Sequence, residues 1–208
     1  MDDRIRVYGI GASRASRPLW MLEELGVPYE LVRQDYKDKS TRSPAYLAIN
    51  PNGRIPAIVD GDVVVWESMA TTLYLARRFG GELAPANLAE EAEALRWSFW
   101  VMSECEKDAL IVLFQRVVNP PDKRDEALAA AAESRLAVPL KVLDAHLATR
   151  AYLAGERFTV ADLNVASVLS WIKPSKRLAG EFPVMSAWLD RCLARPAQQR
   201  VRAMARAG

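Results

Sequence analysis

Apolar positions keep one rhythm up to about residue 80 and another beyond it. In the first stretch, short apolar runs alternate with helical spacing. Ile5 to Tyr8 predicts a strand, Leu19 to Leu25 an amphipathic helix closed by Gly26, and Tyr29 to Val32 a second strand. Together they form a βαβ unit, whose crossover is right-handed. Ser43 to Ile49 predicts a short helix. Ala57 to Asp60 and Val63 to Trp66 flank Asp60-Gly61, a dipeptide that favours tight hairpin turns. Met69, Leu73, Ala76 and Phe79 then line one face of a third helix, closed by Gly80-Gly81.

Past Gly80 the alternation ends. Gly80 to Pro85 reads as a linker, and Leu95, Phe99, Met102, Cys105, Ala109 and Val112 follow helical spacing. Leu136, Leu140, Leu143 and Leu147 do the same, with Pro139 expected to bend their helix. Pro120-Pro121-Asp122 marks the corner between the two, and the Ala127 to Ala132 run suits a helix. Thr159-Val160-Ala161-Asp162 is a capping-box variant, with Phe158 and Leu163 as a candidate hydrophobic staple. Thr159 and Asp162 are expected to hold a buried helix start and to do no chemistry. The predicted domains are 1–80, a linker 81–87, and an all-helical 88–208.

Composition narrows the function classes. The chain has 208 residues, half of them hydrophobic and 26% charged, as ordinary globular proteins do. A net charge of +2 gives no electrostatic reason to expect a nucleic-acid or membrane partner. The basic stretch Arg195 to Arg206 reads as a solvated helix face. No leader-like or membrane-spanning apolar run is present, so a cytoplasmic protein is expected. Cys105 and Cys192 are far apart and the chain has one histidine, His146, which is expected to face solvent. Neither a disulfide framework nor a metal site is predicted. Trp20 and Trp188 read as packing residues.

The most informative segment is Asn50 to Ser68. Asn50-Pro51-Asn52-Gly53 is a turn cluster. Ile55-Pro56 sets a residue with no N–H just before a strand, a place that suits a cis X-Pro bond. Glu67 and Ser68 follow the hairpin where a helix opens, beside free backbone N–H groups and the positive end of the helix dipole. An exposed X-Pro edge facing a helix mouth is a cradle for a small peptide-like anion.

This order of parts resembles the cytosolic glutathione transferase superfamily over essentially the whole chain. Two further stretches carry the likeness. Tyr8 to Tyr29 (Tyr-Gly-Ile-Gly-Ala-Ser-Arg-Ala-Ser-Arg-Pro-Leu-Trp-Met-Leu-Glu-Glu-Leu-Gly-Val-Pro-Tyr) is similar to the serine-type opening of many bacterial and theta- or delta-like members. Tyr152 to Asn164 is similar to the family's capped helix in the second domain. The resemblance implies an α+β thioredoxin-like N-terminal domain with a four-stranded mixed sheet, followed by an all-α bundle. It also implies a homodimer and glutathione as co-substrate, with the glutathione thiolate conjugated to small hydrophobic electrophiles in detoxification.

Site residues follow from the same resemblance. Redox members of the fold carry Cys-x-x-Cys where this chain has Ser13-Arg14-Ala15-Ser16, so the thiol must come from the ligand. The catalytic serine maps onto Ser13, with Ser16 as runner-up; either hydroxyl could instead cap the first helix. Arg14 and Arg17 add positive potential nearby. Glu67 would pair the γ-glutamyl ammonium and Ser68 its carboxylate. Ile55, ahead of Pro56, would exchange main-chain hydrogen bonds with the cysteinyl part. Arg54 would reach the glycyl carboxylate. The electrophile is expected between the Ile10–Ser13 loop and the first bundle helix, with Trp100, Ser103, Glu104 and Lys107 as candidate walls. Two rival readings are a glutathione-dependent disulfide or peroxide reductase and a non-catalytic scaffold.

Overall fold

Period-2 alternation around residues 5–66 produces one mixed sheet. Strand β1 (Ile5–Gly9) pairs parallel with β2 (Tyr29–Arg33) and antiparallel with β3 (Ala57–Asp60), which pairs antiparallel with β4 (Val63–Trp66). The order is β2-β1-β3-β4. Central strands β1 and β3 bury Ile5, Val7, Tyr8, Ala57, Ile58 and Val59, as central strands must. Helix α1 (Ser16–Leu25) supplies the crossover and ends on Gly26 in the left-handed conformation (φ 65°). Helix α2 (Pro44–Leu47) is capped by Ser43, whose hydroxyl accepts from the Tyr46 N–H at 3.3 Å.

Helix α3 (Ser68–Phe79) departs from the expected face. Its buried residues are Ser68, Met69, Thr71, Thr72, Leu75 and Ala76, while Leu73 and Phe79 are only half-buried. Two threonines occupy the core side because their hydroxyls satisfy themselves locally. Thr71 donates to the Ser68 carbonyl at 2.7 Å, and Thr72 to that of Met69 at 2.8 Å.

The structure, a computed structural model, describes residues 4–207. They divide into two units: the chain through Ala84 with the segment from Arg195 onward, and Pro85–Ala194. The last helix (Pro196–Ala207) therefore groups with the sheet, whereas the sequence placed it with the bundle. Carboxylates on α1 account for this. Glu24 receives Arg195 through two bonds of 2.6 and 2.8 Å, and Glu23 pairs with Arg200. Burial and the Glu23 carboxylate hold the Tyr29 phenol well above its ordinary range, and its hydroxyl donates to Glu23 at 2.8 Å.

The second unit holds α4 (Leu88–Trp100), α5 (Glu106–Leu113), α6 (Glu126–Leu147), α7 (Val160–Leu169), α8 (Lys176–Glu181) and α9 (Pro183–Leu193). Wider π turns at Val101–Cys105 and Phe114–Val118 follow α4 and α5. Cys105, Ala109 and Val112 are buried and continue the stripe of Ala94, Ser98 and Val101 at helical spacing, while Leu95 and Phe99 of the expected stripe are exposed. Pro139 sits inside the uninterrupted α6, whose Leu136, Leu140, Leu143 and Leu147 are buried. His146 does not simply face solvent. Its Nε2 lies 2.9 Å from the Leu153 carbonyl and its ring 4.8 Å from that of Trp97. Among the described residues no helix is long and apolar enough to cross a membrane.

Every residue of α7 is buried, and its start is built as the sequence predicts. The Asp162 carboxylate accepts from the N–H groups of Thr159 and Leu153, both at 2.9 Å, and from Trp188 Nε1 at 3.0 Å. Thr159 Oγ1 accepts from the Ala161 N–H at 3.3 Å, completing the capping box. Burial pushes the Asp162 carboxyl up, and those donors oppose it. Replacing Asp162 by alanine strands three buried donors at about 1–3 kcal/mol each. Asp162→Ala is therefore expected to lower the unfolding free energy by about 3 kcal/mol or more in urea denaturation, and Thr159→Ala by about 1 kcal/mol.

Candidate active site

Three pieces of the first unit converge where β1 ends. A β-carbon on Gly9 would sit 2.5 Å from Ala15 Cβ, so only glycine lets α1 come this near the strand; Ile55 Cβ would lie at an ordinary contact distance of 3.7 Å. The Ile55–Pro56 bond is cis. The loop before it is held from within. Asn50 accepts from the Asn52 N–H at 3.1 Å and donates to the Arg54 carbonyl at 2.7 Å; Tyr46 donates to that same carbonyl at 2.6 Å. Burial pushes the Tyr46 phenol up to about 12, which keeps it a donor.

The Ile55 side chain packs against the buried Tyr8, Tyr46, Ala57 and Val59 cluster. Its main chain is a different matter: the Ile55 N–H and carbonyl have no hydrogen-bond partner among the described residues. An unpaired donor and acceptor two residues before a strand is the edge a peptide can extend. On the facing strand Trp66 pairs with Ala57, so Glu67 lies one step beyond the ladder, as does Pro56.

Glu67 has φ 71° and ψ 116°, a conformation that costs a non-glycine residue about 1–3 kcal/mol. Its side chain is exposed, does not cap α3, and its carboxylate has no partner among the described residues. The exposed Arg54 guanidinium is likewise without one. Two opposite unpaired charges thus flank an unpaired stretch of backbone. That arrangement fits a zwitterionic peptide carrying a further carboxylate, as glutathione does. Ser68 is buried, and its Oγ accepts from Arg17 Nη1 at 2.8 Å.

Ser13 and Ser16 lie at the mouth of α1, and neither is its N-cap; Ala15 is. Ser13 Oγ donates to the Ile10 carbonyl at 2.7 Å and accepts from the Ala15 N–H at 3.1 Å, folding the loop into a hydroxyl-closed turn. Ser16 is the first helical residue; its N–H donates to the Ser13 carbonyl at 3.0 Å, and its hydroxyl has no partner among the described residues. Gly11, between Ile10 and Ser13, has Ala205 of the last helix 3.0 Å from where its β-carbon would stand.

Ile10 is half-buried in the first unit. Ser103, Glu104 and Lys107 are exposed in the second, and Ser103 Oγ lies 3.3 Å from the Trp100 carbonyl. Trp100 stands edge-on to the buried Trp97 at 4.9 Å and helps line a cavity of about 280 Å³ with Arg96, Val142 and His146. Sequence reasoning passed over Phe114, Val117 and Val118, which are exposed together on the second π turn. An apolar run that fails to stay on the helix's buried stripe was the available signal. Among the described residues no group of acids, histidines and cysteines could hold a metal ion. Burial pushes the Cys105 thiol up to about 12, which leaves it unreactive.

The fold and this cradle define a two-domain transferase class built on a glutathione-binding thioredoxin-like domain. Matches to known proteins agree. The glutathione S-transferase N-terminal domain model matches residues 4–77, and the C-terminal domain model residues 107–196. Glutathione S-transferase 3 of Zea mays is 35% identical, with 94% of this chain and 92% of that protein aligned. A theta-class glutathione S-transferase from Xanthomonas axonopodis pv. citri, solved with glutathione bound, is 35% identical with TM-score 0.86, covering 95% of this chain and 96% of that one. A glutathione S-transferase I bound with lactoylglutathione is 31% identical with TM-score 0.87, covering 97% and 99%. The chain belongs to the glutathione S-transferase family.

The backbone of Glu67 yields a prediction independent of ligand. Glycine relieves the strained conformation but loses about 0.5–1 kcal/mol of chain entropy. Glu67→Gly is expected to raise the unfolding free energy by about 1 kcal/mol, measured in urea; a fall would show that the strain is not there.

Proposed function

We propose that this chain is a glutathione transferase that binds glutathione along the Ile55–Pro56 edge and conjugates its thiolate to small hydrophobic electrophiles. The observation that carries the reading is the unpaired Ile55 backbone lying between the unpaired Arg54 and Glu67 charges. Glu67 takes the γ-glutamyl ammonium, and the Ser68 hydroxyl and amide take its carboxylate. Ile55 pairs with the cysteinyl unit as a one-residue strand extension, and Arg54 takes the glycyl carboxylate. No step requires a metal.

Ser13 serves as thiolate donor in this reading. A free thiol has a pKa of about 8.5, so a few per cent is ionised at neutral pH. Lowering that by one unit needs about 1.4 kcal/mol of preference for the anion. A charge-assisted hydrogen bond plus the α1 dipole is of that size. The Ser13 proton now rests on the neutral Ile10 carbonyl at 2.7 Å, an acceptor that an anionic sulfur outcompetes. The thiol proton leaves to solvent, sulfur adds to the electrophilic carbon, and with a chloronitroarene the anionic adduct then expels chloride. Ser16 is the second reading, favoured by its unengaged hydroxyl.

Ile10, Trp100, Ser103, Glu104 and Lys107 are the proposed contacts for the electrophile. The serine-type opening and the theta-class match support a bacterial theta- or delta-like affiliation; the maize match, equal in identity, does not choose a class. A cytoplasmic homodimer completes the proposal. Leu88, Leu95 and Phe99 are exposed along α4, as are Val63, Val64 and Trp66 on β4, and apolar surface of this kind is what a second copy would cover.

The chain is expected to be retained on immobilised glutathione and to conjugate 1-chloro-2,4-dinitrobenzene faster than it turns over a glutathione–hydroxyethyl disulfide. Ser13→Ala should lose about tenfold or more in conjugation near pH 6.5, recovering as pH rises toward about 9, because the bound thiol then ionises unaided. Full activity in Ser13→Ala with loss in Ser16→Ala would transfer the role to Ser16. Phe99→Glu is expected to shift the protein toward monomer in sedimentation.

A further inference from the structure

Arg17 is 1% exposed, a burial that a guanidinium tolerates only when it is hydrogen-bonded. Its Nη1 donates to Ser68 Oγ at 2.8 Å, linking the first turn of α1 to the first turn of α3. This bond has a direction. A guanidinium has donors and no acceptor, so Ser68 must meet it with a lone pair. The Ser68 hydroxyl proton is then left for another acceptor, and among the described residues none takes it. Thr71 and Thr72 do not compete, since their hydroxyls donate to main-chain carbonyls. No side chain caps the α3 mouth either. Beside the Glu67 carboxylate, Ser68 therefore presents the mouth with a donor that is tied to a buried cation.

We propose that Arg17 is a positioning residue which, acting through Ser68, makes the α3 mouth selective for the γ-glutamyl carboxylate. It rests on the reading of the chain as a glutathione-binding transferase. Arg17 does not touch the ligand in this account. It fixes the Ser68 hydroxyl as a donor. A neutral residue at 17 would free Ser68 to turn its proton inward, and the mouth would lose its bias toward an anion.

The test compares glutathione with 4-aminobutyryl-cysteinylglycine, the same peptide without the α-carboxylate, by calorimetry on the full chain. The natural chain is expected to prefer glutathione by about tenfold or more, the size of one charge-assisted hydrogen bond. Arg17→Gln should remove most of that preference, and Arg17→Lys should restore much of it. In steady-state conjugation the Arg17→Gln loss is expected in KM for glutathione more than in kcat. Ser68→Ala, which leaves the buried arginine in place, should lose the same preference, and Arg17→Gln should have little further effect on the ratio in that background. A preference retained by a folded Arg17→Gln chain, or by Ser68→Ala, overturns the inference. If Arg17→Gln does not fold, the Ser68→Ala result decides alone. Failure of the natural chain to bind glutathione at all would instead sink the transferase reading, so the two failures are distinct.

Discussion

A β-carbon on Gly9 would stand 2.5 Å from that of Ala15 and 3.7 Å from that of Ile55. Real side chains do not approach as closely as the first of these distances, so the absence of one at this position lets the mouth of α1 reach the end of β1, with the Ile55 loop in ordinary contact beside them. The ligand-facing geometry of the first unit descends from that convergence. A larger residue would collide with Ala15 and push the mouth of α1 away from the end of β1.

The cradle works by leaving polar groups unpaired while surrounding them with groups that are fully engaged. The Arg54 carbonyl holds two hydrogen bonds, from Tyr46 and Asn50, while the Arg54 side chain stays outside. Ser68 accepts from Arg17 and keeps its own proton available. Glu67 occupies a backbone conformation that disfavours any side chain, with its carboxylate exposed. Such features lower stability when considered singly, and a binding site tolerates them because a ligand supplies the missing partners. In the second unit the logic is reversed. Asp162 is surrounded by donors and α7 is wholly buried, so the start of that helix is closed on itself.

Much of the fold could be read from local pattern. The hairpin around Asp60-Gly61, the Gly26 stop and the Thr159–Asp162 box all depend on residues within a few positions of one another. The faces of α3 and α4 were less legible. On α3 two threonines sit on the buried side because their hydroxyls bond to their own helix, which hydropathy does not register. On α4 the buried side holds Ala94, Trp97 and Ser98, one step off the larger apolar Leu95 and Phe99, so a small and a polar residue face the core where hydropathy favours their neighbours. Glu67-Ser68 and Ile55-Pro56 were readable as a pair because the hairpin between them is short. The Arg17–Ser68 bond was not, since it spans 51 positions.

By itself the sequence determined the element order, the sheet's composition, the capped bundle helix and the replacement of a redox cysteine pair by Ser13 and Ser16. These follow from short-range sterics and hydrogen bonding, which travel with the local residues wherever the chain goes. Only tertiary structure decided that the C-terminal basic helix joins the sheet unit through Glu23 and Glu24, and that a buried guanidinium turns Ser68 into a donor. It likewise decided that the Ile55 main chain goes unpaired among the described residues. Charge pairing and unmet hydrogen bonds depend on which distant groups arrive within about 3 Å, and no periodicity along a chain encodes that distance.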